Sequence, residues 1–169
     1  MRFADAPEVS VRTTVAAPPA TVWAFVTDIE LPARFTSEFQ GAEWLDGADG
    51  PALGARFRGR NQNDRIGAWE VTCTVTDCDP GRSFGWVVGA PEHPAAAWRF
   101  DLEPVGAGTV LHQWARMGPG SSGVTMVIDA APEHEEQIVS GRIAGWQRDM
   151  TATVEGIRAL AEAATTDGG

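Results

Sequence analysis

Between Pro132 and Ala164 the chain carries apolar residues at Val139, Ile143, Trp146, Met150, Val154, Ile157, Ala161 and Ala164, and every gap is three or four. On a 3.6-residue period such a series stays on one face, so the segment predicts a single long amphipathic helix. Arg148, Glu155, Arg158 and Glu162 fall on the opposite side and form its solvated face. About 30 residues of helix run roughly 45 Å. A stripe of that length demands a broad apolar partner. The chain before it reads mostly as strands, so a curved sheet is the expected cover.

The strands follow from alternation. Glu8 to Val15 places Val9, Val11, Thr13 and Val15 on one side. Ala17-Pro18-Pro19-Ala20 breaks this strand, and Pro19 suits the first turn of a helix that carries Val22, Trp23, Phe25 and Val26. A second short helix is expected over Ala33 to Glu38. Further strands are predicted at Gly41 to Leu45, Ala55 to Asn61, Ala68 to Thr76, Ser83 to Val88, Ala95 to Glu103 and Thr109 to Met117, with turns at Asp46–Gly50, Asp79–Gly81 and Val105–Gly108. Short turns imply an antiparallel meander, with one face apolar and the other charged. The predicted class is α+β: a seven-stranded curved antiparallel sheet, two short helices after the first strand, and a long C-terminal helix over the concave face.

Charge and composition remove several function classes. Thirteen basic residues, all Arg, stand against 23 acidic ones, for a net charge of −10. That argues against nucleic acid or an anionic membrane as partner. Without lysine, Schiff-base chemistry and a Walker-type phosphate loop are both excluded. Without tyrosine, no phenol can act as acid or base. His93, His112 and His134 are scattered along the chain. Cys73 and Cys78 are five apart in one predicted strand, roughly 16 Å if extended, out of disulfide reach and pointing to opposite faces. No zinc-ligand spacing occurs, so no metal and no cofactor is expected. No apolar run approaches the roughly 18 residues of a membrane helix, and Met1 to Val15 lacks an apolar leader core. The expectation is one soluble, cytoplasmic domain over residues 1–169, monomer or homodimer, large enough to fold around its own core.

The ordered set of motifs resembles the SRPBCC superfamily, the START-like helix-grip fold of the birch pollen allergen and the polyketide cyclase/dehydrase proteins. Val15-Ala-Ala-Pro18 with Val22-Trp23 is similar to that family's exit from its first strand. Phe57-Arg-Gly-Arg-Asn61 followed by Trp69 resembles its third and fourth strands. Asp79-Pro-Gly-Arg82 with Phe84 and Trp86, then Trp98-Arg-Phe100 and Gly108-Thr109, resemble later strands, and Trp146 to Leu160 the closing helix. The resemblance implies a deep cavity between sheet and helix for an apolar or aromatic small molecule. It implies no particular reaction, since the superfamily includes cyclases, lipid carriers, hormone receptors and co-chaperones.

Large aromatics are commonly plain core, yet eight on one face of a two-layer fold also suit the lining of a pocket. The candidate ligand-binding residues are Trp44, Phe57, Asn61, Trp69, Phe84, Trp86, Trp98, Phe100, Leu111, Gln113, Trp146 and Met150. Asn61 shares the parity of Phe57. The last strand admits two registers, one with Leu111 and Gln113 inward and one with Val110, His112 and Trp114 inward; the second would make His112 the one internal base. Arg56, Arg58 and Arg60 read as an outward ladder opposite Glu70, Asp101 and Glu103. Gly141 and Gly145 weaken the long helix and suggest a close approach there. Gly118 to Gly123 suggests a flexible hinge at the cavity mouth. The leading function is binding of a hydrophobic small molecule. A cyclase/dehydratase-type enzyme is the alternative, although relatives of that type lean on Tyr, His and Arg, and only His112, Arg142 or an inverted Arg58 could stand in. A protein-partner role, through Val124 to Val127 or Trp114, is the third.

Overall fold

The computed structural model describes residues 1–168. Seven strands form one antiparallel sheet: β1 (Glu8–Val15), β2 (Phe39–Trp44), β3 (Arg56–Asn63), β4 (Gly67–Asp79), β5 (Ser83–Val88), β6 (Ala96–Val105) and β7 (Gly108–Met117). Their spatial order is β1-β7-β6-β5-β4-β3-β2. Consecutive strands from β2 to β7 pair as a meander, and β1 closes on β7 with Val11 opposite Gln113 and Val15 opposite Thr109. Helix α1 (Pro19–Val26) follows β1, and α2 (Gly123–Ala130) precedes the long α3 (Glu135–Asp167). This is the expected α+β helix-grip arrangement, a curved open sheet embraced by its C-terminal helix.

The apolar stripe explains how α3 sits. Val139, Ile143, Trp146, Met150, Val154, Ile157 and Ala161 are all buried, and only Ala164 lies out in solvent. The helix works in two halves. Val154, Ile157 and Ala161 pack into a solid core with Val15, Val22, Val26, Leu102 and Leu111. Val139, Ile143, Trp146 and Met150 instead meet Ala96, Ala115 and Met117 in a separate cluster. The first half-helix therefore packs on a cluster of its own, apart from the core under the second.

Several local expectations are corrected. The second helix is a single helical turn at Leu31–Arg34, begun by Pro32, and Glu38 leads straight into β2 instead of ending a helix. Helix α2 was unforeseen; Ser122 caps it, its Oγ accepting from the Thr125 amide while Thr125 Oγ1 accepts from the Ser122 amide. The glycine run before it is pinned rather than loose. The amides of Gly118 and Gly120 donate to the carbonyls of Ala95 and Pro94, both at 2.9 Å, and a Cβ on either glycine would collide with the Pro94 backbone.

A bulge in β4 alters the two cysteines. Val75 pairs with Trp86 but Asp77 with Gly85, so Thr76 is the extra residue and parity reverses after it. Cys78 comes opposite Phe84 and joins Cys73 on the inner face, against the prediction of opposite faces. Both remain free thiols, and burial pushes that of Cys73 up to about 12. Arg58 does point outward, to Glu43 at 3.3 Å and the expected Glu70 at 3.7 Å, and Arg56 meets Asp46 at 2.8 Å, but Asp101, expected opposite the ladder, pairs with Arg99 at 2.7 Å instead.

Candidate functional site: an aromatic cleft under the long helix

Where the first half of α3 crosses the sheet, the two layers enclose a cleft of about 1900 Å³. Its floor is built by cross-strand rows. Phe84 on β5 lies opposite Phe100 on β6, which lies opposite Gln113 on β7; beside this row Trp86 lies opposite Trp98, and Trp98 opposite Ala115. Pairing of like parity sends all these side chains to one face. The roof is Trp146, Met150, Asp149 and Thr153 from α3, and the rim is formed by the β3–β4 turn with Ile66 and by α2 with Met126.

The rings touch in a connected series. Trp86 and Trp98 are nearly parallel with centroids 6.3 Å apart, and Trp98 reaches the roof ring of Trp146 at 4.8 Å. Trp86 also meets Phe84 at 5.3 Å, Phe57 at 5.9 Å and Phe100 at 6.1 Å. Offset and edge contacts of this kind fix ring planes; Phe57, Phe84 and Phe100 are enclosed with the core, and Trp86 and Trp98 are the partly open rings of the series.

The structure brings together Phe57, Asn61, Trp69, Phe84, Trp86, Trp98, Phe100, Gln113, Trp146 and Met150 around the cleft. Trp44 and Leu111 are not among its lining. Trp44 stands edge-on behind Phe57 at 5.5 Å and borders a shallow outer groove with Ile29. Leu111 is opposite Leu102, fully enclosed in the solid core. Strand β7 takes the Leu111/Gln113-inward register. His112 therefore lies on the outer face, its Nδ1 3.8 Å from Asp101, and cannot act as a base inside.

A polar group at the cleft side was only half visible in the sequence. Glu38 receives Arg142 on both oxygens, at 2.7 and 2.9 Å, and Asn63 Nδ2 donates to it at 2.9 Å. The pair ties α3 to the far edge of the sheet. Burial alone would raise the Glu38 carboxyl, but Arg142 and Asn63 outweigh it and hold the group below its ordinary range. Asp149 lines the same cleft without such help; burial first, and the charge of Glu38 second, push its carboxyl up despite Arg142 and Arg148. Arg142 also lies over the Trp146 ring at 5.7 Å. The sequence signal for this cluster was weak, since Glu38 and Arg142 are 104 positions apart.

The glycines of α3 are corrected too. A Cβ on Gly141 would meet nothing within 4 Å, and one on Gly145 only the Arg148 guanidinium at 3.7 Å, so neither marks a close approach; both line the cleft. The close approach is at Gly156, where the Phe35 ring would stand 2.5 Å from an added Cβ. Among the described residues no trio of His, Cys, Asp or Glu is placed to hold a metal ion, and no helix is long and apolar enough to cross a membrane.

The polyketide cyclase/dehydrase and lipid transport family matches residues 6–162. The chain belongs to that family. Solved structures of similar form include a polyketide-cyclase-like protein of Corynebacterium glutamicum, 28% identical with a TM-score of 0.64, each chain covered over 90% of its length. The aromatase/cyclase ZhuI of a Streptomyces species is 19% identical with a TM-score of 0.68, over 92% of this chain and 93% of that one. A protein of Nitrosomonas europaea is 12% identical with a TM-score of 0.64, over 94% and 96%. The last two likenesses are of fold alone. No curated protein matches the chain.

Proposed function

We propose that this protein binds an apolar, aromatic small molecule of polyketide-like shape in the cleft beneath α3. The observation that carries this reading is the run of rings from Phe57 through Trp86 and Trp98 to Trp146 along the cleft, in which Trp86 and Trp98 are only partly buried. A core needs such rings packed on both sides, whereas a pocket needs one side free. The exposed apolar residues Ile66 and Met126 stand on the rim of this same cleft, which favours ligand passage over a separate protein-docking face.

Native mass spectrometry against fused-ring aromatics and straight-chain fatty acids tests it. One-to-one adducts with the fused rings, surviving competition by the fatty acids, are expected. An absence of adducts with either class refutes the binding function.

One feature supports a cyclase- or dehydratase-type reaction as the second reading. Asp149 lines the cleft near the Arg142–Glu38 pair, and burial lifts its carboxyl above the ordinary carboxylate value, the direction that suits a group exchanging a proton with a bound carbonyl. With His112 outside, Asp149 beside the Arg142–Glu38 pair is the available proton carrier. Turnover of a bound polyketone by wild type but not by Asp149→Asn, with binding unchanged, would establish it.

A further inference from the structure

We propose that Gln113 is the polar anchor of the cleft: a subsite for one hydroxyl or carbonyl group carried by an otherwise apolar aromatic ligand. Four polar side chains are buried among the described residues: Ser83, Thr109, Gln113 and Thr153. Ser83 donates to Asp77 at 2.7 Å and Thr109 to the Ala17 carbonyl at 2.8 Å. Gln113 is 5% exposed, lines the cleft, and its Oε1 is sealed from solvent with no hydrogen-bond partner.

No neighbour on the sheet can supply one, and Thr153, the other buried polar side chain lining the cleft, makes no hydrogen bond to Gln113. Its cross-strand neighbours are Phe100 on β6 and Val11 on β1, and the same-face residues before and after it on β7 are Leu111 and Ala115. An amide left unpaired among apolar groups lowers stability, and buried polar groups in folded proteins nearly always find a partner. A leucine would fit the row of Phe84, Phe100 and Val11 at no such penalty. The side chain lines the cleft and only its Oε1 is sealed, so a ligand group meets the amide at Nε2 or, after a half-turn of the terminal torsion, at Oε1. Arg142 Nε is unpartnered as well, but its guanidinium is already held by Glu38.

The amide sets the chemistry of that partner. Its carbonyl accepts from a hydroxyl, and its NH₂ donates to a ketone or a phenolate; a half-turn of the terminal torsion exchanges the two. It carries no charge, so it selects neither anions nor cations. A water molecule is the competitor the ligand group must displace. On the sheet floor the neighbours of Gln113 are rings and methyls, while the charged groups Asp149, Arg142 and Glu38 stand at the α3 side, so a ligand lying along the aromatic run is rewarded for a polar substituent at this point of the floor.

The subsite rests on the cleft being a binding site, and the test separates the two. Calorimetric titrations of naphthol and methylnaphthalene, near-isosteres differing in the hydroxyl, are run on wild type and on Gln113→Leu. The ratio of naphthol to methylnaphthalene affinity is expected to fall about threefold to tenfold in Q113L, the size of one hydrogen bond, while methylnaphthalene binds the variant as well or better. An unchanged ratio overturns the subsite and leaves the binding function standing. If neither probe binds wild type, the binding function fails and the subsite with it. Should Q113L not fold, Gln113→Met carries the same comparison; its thioether keeps the length and removes the amide.

Discussion

Replacing Glu38 by Gln keeps the side chain's shape and removes its charge, which isolates the tie between α3 and the sheet edge. The Glu38 and Arg142 side chains are 21% and 29% exposed, between a surface pair and a sealed one. Exposed pairs contribute about 0–1 kcal/mol, and breaking a fully buried pair costs about 3–5 kcal/mol. The bidentate geometry and the Asn63 bond place this one near the middle, so the loss should be about 2 kcal/mol. At about 2–4 °C per kcal/mol for a chain of this size, Tm falls by about 4–8 °C at neutral pH. The sign with pH is fixed as well. Glu38 lies below its ordinary value of 4.5 in the folded state, so its contribution is present above that value and disappears as pH falls through the lowered one. Thermal melts of E38Q and wild type should therefore differ at neutral pH and converge in acid. A difference under about 1 °C at neutral pH, or one that persists unchanged into acid, would refute the account of the pair as a structural tie.

Asp149 predicts the opposite slope. Its folded carboxyl lies above 3.8, so ionisation opposes folding as pH rises through that range; Asp149→Asn should melt higher than wild type at neutral pH and equal to it below 3.8, as differential scanning fluorimetry across pH would reveal. The glycines of α3 predict a split. Gly145→Ala meets no close atom and should stabilise by up to about 1 kcal/mol through helix propensity, whereas Gly156→Ala drives a methyl into the Phe35 ring and should cost about 1–3 kcal/mol; urea unfolding of both distinguishes them.

What the sequence disclosed was periodicity. The stripe from Val139 to Ala161 identified α3 and its buried face, and alternation found all seven strands and the inner parity of Phe57, Phe84 and Trp98, but it left open whether Gln113 or His112 faces inward on β7. Parity gives the face of a side chain but not its depth, which is why Trp44 and Leu111 could not be told from cleft-lining residues. The bulge at Thr76 was hidden because an extra residue in a strand leaves alternation intact on either side of it, yet it turned Cys78 inward. Helix α2 was masked by the glycines before it, whose use is to press against Pro94. Gly156 was overlooked because its need for space comes from Phe35, on a segment remote in sequence. The Glu38–Arg142 pair was out of reach for the same reason: Arg142 could be named, but only the fold supplies its partner.

On this reading the rings around Trp98 hold a guest. Calorimetric titration of anilinonaphthalenesulfonate into wild type and Trp98→Ala tests it most directly, since Trp98 stacks on Trp86 and touches Trp146. Saturable one-to-one binding to wild type is predicted, weakened about tenfold or more in W98A by loss of a central aromatic contact, with the variant still melting cooperatively. Absence of saturable binding to wild type, or equal affinity in a folded W98A, would contradict the account.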